Sequence, residues 1–227
     1  IALIYNIMCW SAESSKNAYI IGLLSSVILL VYGDETDKCI GLFFTLVVHI
    51  QLIEYFIWKY PERGNVNNIA TKMIFPVLIL QMASMVVGYY LFQPTNLSKE
   101  QTKKVLTYVA VITFLAIGSI LYLSRNIQVF SKKIQGKGIL WGSTWDVLDY
   151  KSKNLICDIT TILYLSTLFI TPLFWKSKTK KCSLIAINAA SLLWINHHNK
   201  ITWKSRWCYP SAFIPLLSVI MMLLDIK

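Results

Sequence analysis

The chain has 227 residues, of which 56 % are hydrophobic and only 15 % are charged, and its formal net charge is +11 at pH 7. Its mean hydropathy of +0.54 is high for a water-soluble domain, so composition predicts a single transmembrane domain over residues 1–227. The Lys and Arg residues lie in short connections between apolar blocks, which favours contact with membrane lipids and argues against nucleic acid as the partner.

The apolar residues form blocks of about bilayer-spanning length, which predicts an all-α, polytopic bundle of about seven transmembrane helices. The blocks are Asn17–Tyr32, Cys39–Trp58, Met73–Phe92, Val105–Leu123, Leu155–Trp175, Cys182–Ile195 and Pro210–Ile226. Because Cys182–Ile195 is short and could instead be re-entrant, about six to eight spans remain open. Pro76, Pro172 and Pro215 predict kinks within their spans.

The longest connection is predicted at 124–154, where lysines alternate with tryptophans and glycines. This composition indicates a hairpin or short helix at the level of the lipid headgroups, with a lid over a pocket as the alternative. An excess of Lys and Arg in the connections on the N-terminal side of the membrane favours an N-terminus inside. Nothing in the sequence determines the oligomeric state.

The second predicted span carries His49, Gln51 and Glu54 among apolar residues. A carboxylate in a membrane helix costs about 2.5 to 3.5 kcal/mol on insertion scales, so Glu54 should face protein groups or water rather than lipid. At helical spacing, Gln51, Glu54 and Trp58 share one stripe, whereas His49 lies about 140° round the helix from Glu54. An acid–base pair between His49 and Glu54 on this helix is therefore not expected.

Other polar residues could join Glu54 and Gln51 in an intramembrane pocket. Gln81 and Asn188 lie on the third and sixth predicted spans, each three residues before a serine on the same face. The candidate pocket residues are Glu54, Gln51, Trp58, Cys9, Ser11, Glu13, Gln81 and Asn188. They predict a membrane protein that binds or conducts a small ligand or ion, and the alternative for each is a hydrogen bond between helices.

Metal chemistry is poorly supported, because the chain has no His-x-x-x-His and no His-Glu-x-x-His motif. The weak candidates for metal ligands are His49, Asp158, His197 and His198, and no catalytic residue or cofactor is predicted. A metal-dependent intramembrane lipid hydrolase is one alternative function. A structural membrane component without catalytic activity is another.

Three short stretches carry a resemblance to a known family: Met8–Ala12 (Met-Cys-Trp-Ser-Ala), Gln51–Trp58 (Gln-Leu-Ile-Glu-Tyr-Phe-Ile-Trp) and Trp207-Cys208. They resemble, in the same order, the motifs of an uncharacterised family of small polytopic membrane proteins from bacteria and large DNA viruses. The typical members have Met-Cys-Phe-Ser-Ala, then Gln-Leu-x-Glu-x-x-x-Trp in the second span, then Trp-Cys near the start of a late span.

The resemblance implies that Met8 is at or near the natural start, with residues 1–7 as the departure from the family pattern. It also singles out Cys9, Ser11, Glu54 and Cys208 together, although the family supplies no activity. The chain is more distantly similar to seven-span intramembrane zinc hydrolases of the alkaline-ceramidase type. It lacks, however, the His-x-x-x-His motif that those enzymes need.

Overall fold

The computed structural model describes residues 11–62, 64–124, 131–134, 138–140, 161–198 and 203–224. The helices are α1 (Ala12–Tyr32), α2 (Glu35–Lys59), α3 (Asn65–Phe92), α4 (Lys99–Ser124), α5 (Thr161–Phe174, its last turn a 3-10 helix), α6 (Lys178–His198), α7 (Trp203–Ser211) and α8 (Ile214–Leu223). The described strands, β1 (Lys132–Ile134) and β2 (Gly138–Leu140), form one short antiparallel pair. The predicted all-α class is confirmed, with this pair as a minor addition.

Helix α1 buries mostly small residues and exposes large apolar ones, which is the reverse of a helix in a soluble protein. Its buried residues are Ser15, Ala18, Gly22, Ser25, Ser26 and Leu29. Its exposed large residues are Ile20, Ile21, Leu24, Val27, Ile28, Val31 and Tyr32. Small residues let α1 approach α2 closely, and an apolar outer face of this length is stable against lipid rather than water.

Four helical segments of the described chain are long and apolar enough to cross a membrane: Ala12–Tyr32, Glu35–Lys59, Asn65–Phe92 and Arg206–Leu223. These fit a membrane protein by length and composition. The predicted block Val105–Leu123 lies within α4, whose exposed surface includes Tyr108, Val111, Phe114 and Leu115. The predicted block Leu155–Trp175 is described only from residue 161, and its apolar helix is shorter. A count of seven spans is therefore not confirmed.

Three turns meet at one end of the bundle, which we call the Asp34 end: residues 33–34, 93–98 and 175–177. Lys180 Nζ donates to Asp34 Oδ2 at 2.8 Å, which ties the start of α6 to the turn between α1 and α2. The backbone N–H of Lys176 donates to the carbonyl of Pro94 at 2.6 Å, which ties the α3–α4 and α5–α6 turns together.

The opposite end, which we call the hairpin end, contains the α2–α3 turn and the β1–β2 pair. Asn67 Nδ2 donates to the carbonyls of both Tyr60 and Ser131, at 3.1 and 3.0 Å. Ser131 N donates back to Asn67 Oδ1 at 2.9 Å, and Thr71 Oγ1 lies 2.9 Å from Ser131 Oγ. Ile139 of β2 is buried against apolar residues of α2 and α3. Successive helices α2, α3 and α4 thus alternate in direction between the two ends.

The last predicted block, Pro210–Ile226, is not one helix from end to end. The helical residues begin upstream, at Trp203, and the chain leaves the α-helix after Ser211 before α8 begins at Ile214. Pro210 and Pro215 lie on either side of the break. They favour it, because each lacks the backbone N–H that would donate a hydrogen bond in a continuous helix. The break lies against the middle of α1, where Gly22 faces the carbonyl of Ala212. Of the other prolines, Pro76 lies inside unbroken α3 and Pro172 in the 3-10 turn.

Candidate functional site

Glu54 and Gln51 form the centre of the candidate site, on the buried side of α2. Their side chains are only 1 % and 0 % exposed. Gln51 Nε2 donates to Glu54 Oε2 at 3.2 Å, which is the bond that their i, i+3 spacing allows. Because Nε2 of Gln51 donates to the carboxylate, the other side-chain atom of the amide, Oε1, faces away from Glu54. Oε1 has no hydrogen-bond partner among the described residues.

Gln81 of α3 is a third predicted site residue that lies in the core. Its amide Nε2 donates to the backbone carbonyl of Leu46 on α2 at 3.3 Å, and its Oε1 accepts from the hydroxyl of Tyr164 on α5 at 2.6 Å. Ser84 Oγ donates to the carbonyl of Gln81, within the same helix. Gln81 therefore joins three helices, α2, α3 and α5.

Trp207 of α7 connects this network to α6. The rings of Tyr164 and Trp207 meet edge to face with centroids 6.5 Å apart, and Trp207 Nε1 donates to Ser191 Oγ at 3.1 Å. Cys208, the next residue, packs against the apolar cluster of α2 and α3 that includes Ile53 and Ile57. Two of the three stretches that carry the family resemblance, Gln51–Trp58 and Trp207-Cys208, thus pack together.

Asn188 of α6 belongs to the same side of the bundle, through Ser191. Its side-chain Nδ2 donates to the backbone carbonyl of Leu184, and its backbone carbonyl accepts from Ser191 Oγ at 3.0 Å. The side-chain oxygen Oδ1 is buried and has no partner within the described part of the chain. Asn188, like Gln51, therefore keeps one buried acceptor that its own helix does not satisfy.

The remaining pocket candidates lie nearer the surface. Ser11 caps α1 by accepting from the N–H of Ser14 at 3.2 Å, and Glu13 is exposed and pairs with Lys16 at 3.7 Å. Trp58 is half-buried at the hairpin end. Cys9 lies outside the described residues.

The weak metal candidates do not come together in the described structure. His49 Nδ1 contacts the carbonyl of Thr45, and its ring meets that of Tyr19 on α1 edge to face. His197 is exposed, whereas Asp158 and the side chain of His198 lie outside what the structure describes. Among the described residues, no three His, Cys, Asp or Glu side chains are grouped to hold a metal ion.

The buried ion pair at the Asp34 end was not predicted from the sequence. Lys180 Nζ lies 2.7 Å from Asp37 Oδ2 and 2.8 Å from Asp34 Oδ2, and the side chains of Lys180 and Asp37 are 6 % and 1 % exposed. Asp34 and Asp37 also form a capping box, in which each side chain accepts from the other's N–H. Lys180 lies among Lys176, Lys178 and Lys181, which the sequence assigns together to the membrane surface. Nothing in that pattern shows that Lys180, unlike these neighbours, is buried.

This pair changes the ionisation of the two groups that lie outside the apolar spans. Partial burial opposes the charged form of Asp34, but hydrogen bonding to Lys180 prevails and lowers the pKa of Asp34. Burial also opposes the charged form of Lys180, but its bonds to Asp34 and Asp37 prevail and raise the pKa of Lys180. Both groups are therefore held charged around neutral pH.

Helices with apolar outer faces and a buried polar centre are the features of an α-helical membrane protein. In comparisons with protein-family models, curated proteins and solved structures, nothing matches this chain.

Proposed function

We propose that the chain is an integral, multi-pass membrane protein in which the polar centre around Glu54 binds or conducts a small ligand or ion. The supporting observation is that Glu54 and Gln51 are almost completely buried in the second half of an apolar helix, where a carboxylate and an amide are costly. Gln51 Oε1 is buried and has no partner among the described residues, so it is an acceptor that an occupant of the site could use.

The surroundings of Glu54 support an exchangeable occupant. On the same helix as Glu54, the Leu46 carbonyl is bonded to Gln81, which is joined to Tyr164 and, through the Trp207 ring, to Ser191, while Cys208 packs against apolar residues of α2 and α3. Carboxylate, amide, hydroxyl and thiol groups together suit an ion or a small polar ligand better than a lipid chain. The excess of Lys and Arg on the N-terminal side of the membrane supports an N-terminus on the inner side, together with the hairpin end.

The test is an ion-flux assay with the purified chain in liposomes, with H⁺, Na⁺ and K⁺ as probes. We expect the protein to pass at least one of these ions faster than protein-free liposomes do. Glu54→Gln keeps the shape of the side chain but removes its charge, so it should return the flux to the protein-free rate.

The matched control is Glu100→Gln, because Glu100 is an exposed carboxylate in the first turn of α4, paired with Lys104. This control should pass ions at the wild-type rate. Protein-free rates for all three ions, or a Glu54→Gln variant as active as the wild type, would overturn the proposal.

A further inference from the structure

Three lysines gather at the hairpin end, around the last turn of α2. Lys133 Nζ lies 5.2 Å from the centroid of the Trp58 ring. Lys59 Nζ lies 5.7 and 5.9 Å from the ring centroids of Tyr55 and Tyr60. Lys132, next to Lys133 on β1, is exposed as well. We call Lys59, Lys132 and Lys133 the lysine patch.

What distinguishes the lysine patch within the described chain is that two of its lysines, Lys59 and Lys133, lie over aromatic rings, whereas the ion pairs with carboxylates involve other lysines. Elsewhere Lys16 pairs with Glu13, Lys104 with Glu100, Lys176 with Glu35, and Lys180 with Asp34 and Asp37. Within the described residues, no carboxylate forms an ion pair with a lysine of the patch, although the adjoining turn carries Glu62. Positive charges that are brought together favour an external anion.

The position of the patch indicates which anion this is. Trp58, Tyr55 and Tyr60 end an apolar helix of 25 residues, and aromatic residues at such ends lie at the level of the lipid headgroups. Lysines that lie on aromatic rings at this level are within reach of headgroup phosphates, and each contributes about fivefold to binding of an anionic surface. The patch also lies at the end for which the sequence favours the inner side, where anionic lipids are enriched.

The hairpin holds two of these lysines in place. The buried hydrogen bonds between Ser131 and Asn67 fix the residue just before β1, and Ile139 is buried directly across the strand pair from Lys133. From this geometry we infer that Lys59, Lys132 and Lys133 form a binding site for the phosphate of an anionic phospholipid.

The test uses native mass spectrometry on the full chain in a nonionic detergent, with phosphatidylglycerol or phosphatidylcholine of the same acyl chains. We expect the first phosphatidylglycerol to bind about tenfold more tightly than phosphatidylcholine. The triple variant Lys59→Gln, Lys132→Gln, Lys133→Gln should bind phosphatidylglycerol about 100-fold more weakly than the wild type.

The matched control replaces three exposed lysines of the Asp34 end, Lys99, Lys103 and Lys178, by glutamine, with the same change in net charge. It should bind phosphatidylglycerol as the wild type does. Equal losses in both triple variants would show a general charge effect and overturn the proposal, as would full binding by the patch variant. Displacement of the lipid by an excess of inorganic phosphate would identify free phosphate as the ligand and also overturn it. The proposal does not rest on Glu54, so ion flux and lipid binding can fail separately.

Discussion

The surroundings of Glu54 come partly from its own helix and partly from a distant part of the chain. Gln51 lies one turn before it on the same helix and donates to its carboxylate. Cys208 of α7, far along the sequence, packs against Ile53, Ile57 and their apolar neighbours on the same stretch of α2. Burial of a carboxylate with such partners is expected at a functional position in a membrane, because the polar groups cost insertion energy that lipid contacts do not return.

At the residue scale, Lys180 is a position where we expect a large effect on stability. Lys180→Met would leave Asp37 buried without its counter-charge, and loss of one partner of a buried pair costs about 3 kcal/mol in free energy of unfolding. The measurement is the unfolding transition in detergent. Lys178→Met, an exposed position two residues earlier, is the control and should unfold as the wild type does.

The same variants give a pH dependence with a defined sign. The pKa of Lys180 is raised, so its contribution to stability is present below the unfolded pKa and is lost as the pH rises through the folded pKa. The pKa of Asp34 is lowered, so its contribution is lost as the pH falls through the folded pKa. Wild-type stability should therefore decline at strongly alkaline pH more steeply than that of Lys180→Met. Parallel pH curves would contradict the assignment of the ion pair.

At the element scale, the close approach of α1 to α2 and to the α7–α8 break depends on Gly22. A Cβ atom at this position would lie 2.5 Å from the carbonyl oxygen of Ala212 and also against Val48. Neither neighbour can move without shifting a helix, since one is backbone and the other is buried between helices.

Gly22→Ala should accordingly lower the free energy of unfolding by about 2 kcal/mol through overpacking. The control is Gly118→Ala in α4, where a new Cβ would meet nothing within 4 Å. Alanine also has a higher helix propensity than glycine, so the control should not lose stability. Both are read from thermal unfolding in detergent, and an equal loss in both variants would remove the special role of Gly22.

At the scale of the whole molecule, the two ends of the bundle predict a topology. Turns 33–34, 93–98 and 175–177 meet at the Asp34 end, whereas the α2–α3 turn and the strand pair meet at the hairpin end. If these ends lie on opposite membrane surfaces, single cysteines introduced at Glu100 and Lys178 should react from one side and those at Glu62 and Lys132 from the other.

The measurement is labelling with a membrane-impermeant maleimide in intact and in permeabilised cells, with labelled peptides identified by mass spectrometry. With the N-terminus inside, the Glu62 and Lys132 positions should react only after permeabilisation. Labelling of Glu100 and Lys178 positions from different sides would contradict the two-ended arrangement. Labelling of the two pairs with the sides reversed would contradict the orientation alone.

The sequence by itself determined the features that depend on local spacing and composition. Long apolar blocks predicted the helices, because every backbone polar group in lipid must be bonded within its own segment. The stripe of Gln51 and Glu54 followed from helical periodicity, and the hydrogen bond between them has a sequence separation of three.

Only the tertiary structure decided which distant residues complete these features. Tyr164 reaches Gln81 across 83 positions, and Lys180 reaches Asp37 across 143. The break after Ser211 and the burial of Ile139 likewise depend on neighbouring helices. Periodicity shows which face of a helix is polar, but it carries no information on which other helix packs there, and the partners of Gln81, Asp37 and Gly22 are set by that packing.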